Sequence, residues 1–229
     1  MPFPVTQWTV LAQATLHGDE AGREALNRLC QTYWEPVRQS VLRRGWTPHE
    51  AEDLTQSFFM HLLERGLLRR ADRERGRFRA FLKTILHRFL LHELERRGAA
   101  RRGGGRAEVD VGCVAEQLAL DPETDVEFDR RWARAAMQAA LDRVLEECVD
   151  RRQRDAAGVI APFLGGPGEL PTYEVAAARL GLGLAAFKTE VLHWRRRLRE
   201  QLRAEVRRTI ATPHEFEEEF NYLRQLLAG

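Results

Sequence analysis

The chain has 229 residues, 44% of them hydrophobic and 31% charged, with a formal net charge of +2. That is enough to bury one or two cores without staples, and the balance excludes a low-complexity or disordered polymer. The three cysteines, Cys30, Cys113 and Cys148, form neither a CxxC pair nor a Cys/His set at metal-ligand spacing, so no disulfide framework and no metal or other cofactor is expected. Residues 1–15 lack a basic head followed by an apolar run, and no stretch approaches the roughly eighteen apolar residues of a membrane span. A soluble, cytoplasmic protein is expected.

In chain order, Trp8 to Leu16 is weakly helical, and His17-Gly18-Asp19 reads as a stop and restart. From Glu20 to about Arg44 the residues Leu26, Leu29, Tyr33, Val37 and Val41 line one helical face, with Pro36 as a kink or interruption. Thr47 then caps a new helix and Pro48 takes its first position, while Glu50, Glu52 and Asp53 suit the dipole of its first turns. That helix, to about Arg65, places Ala51, Leu54, Phe58 and Leu62 on one stripe and Asp53, Gln56, Met60 and Glu64 on a largely polar face. Phe59 and Leu63 widen the apolar area, either for a partner's groove or for burial against a third helix.

Arg69 to Arg77 is a charged loop containing Arg69, Arg70, Arg73, Arg75 and Arg77. Between Arg69 and Arg106 there are thirteen Arg or Lys against four Asp or Glu, so the basic charge is concentrated here. Phe78, Phe81, Leu82, Ile85, Phe89 and Leu94 define the buried face of a helix reaching about Arg97, and Arg79, Lys83 and His87 stand four apart on another face. Such a row can track phosphates, and it equally fits a solvated surface. Gly98 to Gly112 reads as a linker. Helix resumes from Asp125 to about Arg152, with Trp132, Ala136, Ala140, Leu141, Val144 and Leu145 on its apolar side, followed by a short helix from Arg154 to Leu164 that Gly165-Gly166-Pro167-Gly168 closes.

Thr172 can cap a helix from Tyr173 to Leu180 with Val175, Ala176 and Leu180 inward, Gly181 permits a sharp turn, and Leu182 plugs between this helix and the next. In that next helix Leu184, Phe187, Val191, Trp194, Leu198 and Leu202 repeat at helical spacing, leaving Lys188, Thr189, His193, Arg196 and Arg197 outward. This is a helix-turn-helix pattern whose second helix can enter a major groove; the alternative is a helical hairpin with a solvated basic face. Finally Pro213 opens a helix with Phe216, Phe220, Leu223 and Leu227 on one stripe, and four of the five residues from Glu215 to Glu219 are glutamates. This acidic helix either caps the protein or packs back to screen a basic surface.

His49-Glu-Ala-Glu-Asp-Leu-Thr-Gln-Ser-Phe-Phe-Met-His-Leu-Leu-Glu64 resembles the second region of sigma-seventy-type RNA polymerase sigma factors, and Gly76 through Leu86 looks like the promoter-melting helix that follows it. Tyr173-Glu-Val-Ala-Ala-Ala-Arg-Leu-Gly-Leu182 and the helix after it look like the fourth region, and the spacing is similar to the extracytoplasmic-function group. The resemblance implies an all-α protein of two small helical domains joined by a flexible linker: residues 1–97, a linker at 98–124, a helix-turn-helix domain at 125–210 and an acidic helix at 211–229. It implies that Glu52, Asp53, Gln56 and Phe59 dock on the polymerase clamp helices. The loop Ala71 to Gly76, with Arg73 and Arg75, would capture a flipped minus-ten base, and Arg77, Arg79, Lys83 and His87 would hold the displaced strand. Lys188, Thr189, His193, Arg196 and Arg197 would read the minus-thirty-five element.

The chain departs from the family where Gly183 precedes the recognition helix in place of Ser or Thr, where Glu190 replaces a basic residue, and where Gly165 to Leu170 lengthens a connection. The expected role is an alternative sigma factor with core RNA polymerase and promoter DNA as partners, leaving room for an anti-sigma factor or other regulatory protein. The rival is a stand-alone helix-turn-helix regulator. No Gly-rich phosphate loop or nucleophile motif supports an enzyme, and His49, His61, His87 and His92 are scattered along helices.

Overall fold

The computed structural model describes residues 20–65, 67, 77–101, 122–148, 151–165, 169–210 and 214–228, among which there is no strand. Helix α1 (Glu20–Arg43) runs through Pro36 without interruption. Tyr33, Val37 and Val41 are fully buried on either side of it, and that packing outweighs the one backbone bond a proline removes. Gly45, at φ +84°, ends the helix in a left-handed conformation that its missing Cβ makes accessible. Two residues on, Thr47 and Glu50 form a reciprocal capping box. The Glu50 N–H donates to Thr47 Oγ1 at 3.3 Å and the Thr47 N–H donates to Glu50 Oε2 at 2.9 Å, which fixes the start of α2 (Pro48–Glu64).

Helix α3 (Phe78–Arg101) passes Gly98, where a linker was expected to begin; Ala99 and Ala100 are strong helix formers and offset the weakness of one glycine. Helix α4 (Pro122–Glu146) starts three residues earlier than expected, with proline at its first position. It also ends before Arg152, and Glu147 and Cys148 leave it through a turn. Most of the expected linker, the Trp8 segment and Pro213 lie outside the described residues. A short α5 (Arg151–Ile160) passes into a 3-10 turn (Ala161–Leu164) closed by Gly165 at φ +85°. Helices α6 (Tyr173–Arg179), α7 (Leu184–Thr209) and α8 (His214–Ala228) complete the described chain.

The chain divides into two compact units, Met1–Ala133 with Arg207–Gly229, and Arg134–Val206. The sequence-based boundaries instead grouped residues 125–210 and set 211–229 apart. The first turns of α4, the end of α7 and α8 share a unit with α1–α3, joined by aromatic and charged side chains described below.

In the first unit α1, α2 and α3 are sealed by aromatic rings. Tyr33 meets Phe78 edge-on at 5.3 Å, Trp34 stacks on Phe59 at 5.7 Å, and Phe58 meets Phe89 at 5.6 Å. Leu86 and Leu90, which the sequence reading left out of the α3 stripe, are buried as well, whereas Phe81 and Ile85 are half-buried. In the second unit Phe163, Tyr173 and Phe187 form a triad with centroids 4.8 to 5.7 Å apart, tying the 3-10 turn, α6 and α7 together.

Candidate polymerase and nucleic-acid interface

One face of α2 is open and polar. Glu52, Asp53 and Gln56 are exposed, and Met60, 50% exposed, adds an apolar patch to the same face. His49 Nδ1 lies 3.1 Å from Asp53 Oδ2. Phe59 corrects the sequence reading: it is only 5% exposed, because its ring is taken up by Trp34 of α1 and, edge-on, by Phe58. In this structure its ring holds α2 against α1. The start of α2 is also tied to α3, because Arg97 pairs with Glu50 at 2.8 Å and lies over the Trp46 ring at 4.7 Å.

The basic row of α3 is engaged within the molecule. Arg79, expected outward, is 5% exposed. Its Nε sits 3.0 Å from Asp129 Oδ1, its Nη1 3.2 Å from Glu219 Oε1, and its guanidinium lies over the Trp132 ring at 4.5 Å and over the Tyr222 ring at 5.0 Å. One turn on, Lys83 Nζ lies 3.4 Å from Asp125 Oδ2 and 3.3 Å from Asp129 Oδ1. Just before the helix, Arg77 reaches Glu218 at 3.0 Å and Glu219 at 3.2 Å. Arg79 is inward because its flat cation can pair with carboxylates and lie over aromatic rings at once.

These surroundings shift the neighbouring protonation equilibria. Burial raises the Glu219 carboxyl above its ordinary value, against the pull of Arg79 and Arg77. Burial also pushes the Tyr222 hydroxyl up to about 12, assisted by Asp129, to which that hydroxyl donates at 2.9 Å. His87 is half-buried, and burial followed by the charge of Arg44 lowers its imidazole, so at neutral pH it is not the third cation of the row. Arg73, Arg75 and the loop Ala71 to Gly76 lie outside the described residues.

The second unit carries the helix-turn-helix. Thr172 caps α6 by accepting from the Val175 N–H at 3.4 Å, and Gly181 turns the chain at φ +65°. Phe187, Val191, Trp194, Leu198 and Leu202 are buried as their spacing predicts. Val175 and Leu184, expected inward, are exposed, because Ala176 and Ala177 take the close-packed positions of α6. Lys188, Thr189, His193 and Arg196 face outward. Arg197 is drawn aside to Glu147 at 2.9 Å and over the Trp194 ring at 5.1 Å. The Glu190 carboxylate, which would oppose phosphate, accepts from Trp194 Nε1 at 2.9 Å, a use that explains an acid at this position.

Residues 29–100, which span the end of α1, α2 and α3, match the family described as Sigma-70 region 2. This stretch of the chain is similar to region 2 of sigma-70 factors. It is also similar to the ECF RNA polymerase sigma factor SigE of Mycolicibacterium smegmatis, 26% identical over 185 residues that make up 81% of this chain. The chain spans 64% of the length of that relative. No solved structure matches it significantly.

The sigma-70 match covers the exposed face of α2 and the whole basic row of α3. Sequence reasoning missed the acidic partners of that row, Asp125 and Asp129, and the aromatic partners Trp132 and Tyr222. A signal was present: Asp125 and Asp129 are spaced four apart, as are Arg79 and Lys83, so two helices offered matching charge at the same period. Among the described residues no group of three His, Cys, Asp or Glu could hold a metal ion, and no helix is long and apolar enough to cross a membrane.

Proposed function

We propose that the chain is an alternative sigma factor that acts in the cytoplasm, binds core RNA polymerase, recognises promoter DNA and assists strand opening. The observation that carries this reading is the sigma-70 region 2 match over a three-helix unit with an open acidic face on α2. Glu52, Asp53 and Gln56, with Met60 beside them, form the polymerase-docking face. A central apolar contact ringed by exposed acids suits a basic helical partner. Arg77, Arg79 and Lys83 engage the displaced strand through phosphates and base faces, and Lys188, Thr189, His193 and Arg196 engage duplex DNA upstream.

Reconstitution with core polymerase tests the reading. The chain is expected to co-purify with the core and support run-off transcription, and Asp53→Ala with Gln56→Ala is expected to weaken co-purification at least tenfold while leaving the fold intact. Duplex binding without any association with core polymerase would instead identify a stand-alone regulator.

A further inference from the structure

We infer that α8 and the first turns of α4 form an internal acidic clamp that imitates single-stranded DNA on α3 and must be displaced before that helix can hold a melted strand. This rests on the reading of Arg77, Arg79 and Lys83 as DNA contacts. Four carboxylates from two separate segments, Asp125, Asp129, Glu218 and Glu219, converge on those three cations at 3.0 to 3.4 Å. The Arg79 guanidinium also lies over the Trp132 and Tyr222 rings. Anionic oxygens on the edges of a guanidinium and aromatic faces over it are what phosphates and unstacked bases present. The clamp thus offers both chemistries of the ligand it replaces.

Two features make the clamp displaceable. Glu219 is 0% exposed, so its charge is held at a desolvation cost. Arg79 Nη2 donates to Glu219 Oε2 at 3.3 Å, but Arg79 Nη1 and Glu219 Oε1, 3.2 Å apart, are not aligned for a hydrogen bond, so that cost is only partly recovered. What keeps α8 in place is its apolar stripe of Phe216, Phe220 and Leu223, which are 6%, 6% and 0% exposed. A competitor that satisfies the same cations while leaving the acids to water exchanges one set of ion pairs for another at little net cost.

The test uses the full-length chain and a fluorescein-labelled single-stranded 20-mer read by anisotropy. Leu223→Asp releases α8 through its apolar face while adding negative charge, so tighter DNA binding cannot come from the new side chain. Glu218→Gln with Glu219→Gln releases it through the acids without adding a cation. Hydrogen exchange is expected to show protection lost in α8 and kept in α1–α3.

Both variants should bind the oligonucleotide about tenfold more tightly, with a salt dependence steeper by about 0.7 to 1.4, since α8 covers Arg77 and Arg79 and each freed cation contributes about 0.7 on single strands. Adding Arg77→Ala with Arg79→Ala, the two cations that α8 covers, should abolish the gain. Released variants that bind like the parent chain overturn the clamp, and so does a gain that survives the two alanines. If the alanines still impair open-complex formation in the reconstituted holoenzyme, the DNA reading of α3 stands without the clamp; if they impair nothing, that reading falls and takes the clamp with it.

Discussion

At the scale of single residues, Phe59 and His87 show how burial reassigns a side chain. Stacked on Trp34, Phe59 is a core residue of the α1–α2 packing. Phe59→Ala should therefore cost about 3–5 kcal/mol of stability by chemical denaturation. Gln56→Ala, on the exposed face, should change stability by no more than about 0.5 kcal/mol and register instead in polymerase affinity. His87 carries the pH dependence. Burial, Arg44 and Arg88 lower its imidazole against the opposing pull of Asp125. The folded state thus favours the neutral ring, so its contribution is present above the ordinary value of 6.5 and is lost as pH falls through the lowered native value. His87→Gln should flatten that part of a melting-temperature profile, and a profile unchanged by the substitution would count against it.

At the scale of elements, what could be read from the sequence is what is encoded locally. The start of α2 was legible because Thr47, Pro48 and Glu50 determine it within four residues, and Thr47→Ala should cost about 1 kcal/mol in thermal unfolding. The turn at Gly181 was legible for the same reason. Its φ of +65° makes Gly181→Ala a loss of about 1–2 kcal/mol, measurable as a lower melting temperature of the helix-turn-helix unit. The end of α3 was misread because Gly98 is a breaker only on average, and two alanines beyond it carry the helix on. The inward turn of Arg79 was not legible at all: its partners lie about 50 and 140 residues further along, and no local spacing on α3 distinguishes a cation bound for solvent from one bound for Asp129 and Glu219.

For the molecule as a whole, a net charge of +2 conceals a basic stretch after α2 and an acidic α8 that meet in one unit. The all-α class and the order of the helices followed from periodicity, whereas the grouping of α8 and the start of α4 with α1–α3 depended on long-range charge pairing. The two units should also separate in their DNA chemistry. Lys188→Ala with Arg196→Ala should weaken duplex binding and reduce its salt dependence by about 0.9 for each phosphate left without its cation, while single-strand binding stays unchanged. Filter binding over a salt series checks both halves of that expectation. Trp132 offers one more consequence: it is 1% exposed and has the Arg79 cation 4.5 Å from its ring centre, so its indole emission is set by a dry, positively charged neighbourhood. Wetting that indole shifts its colour to the red, which, once the other four tryptophans are replaced by phenylalanine, gives an optical gauge of whether α3 is covered or free, readable in real time without a label.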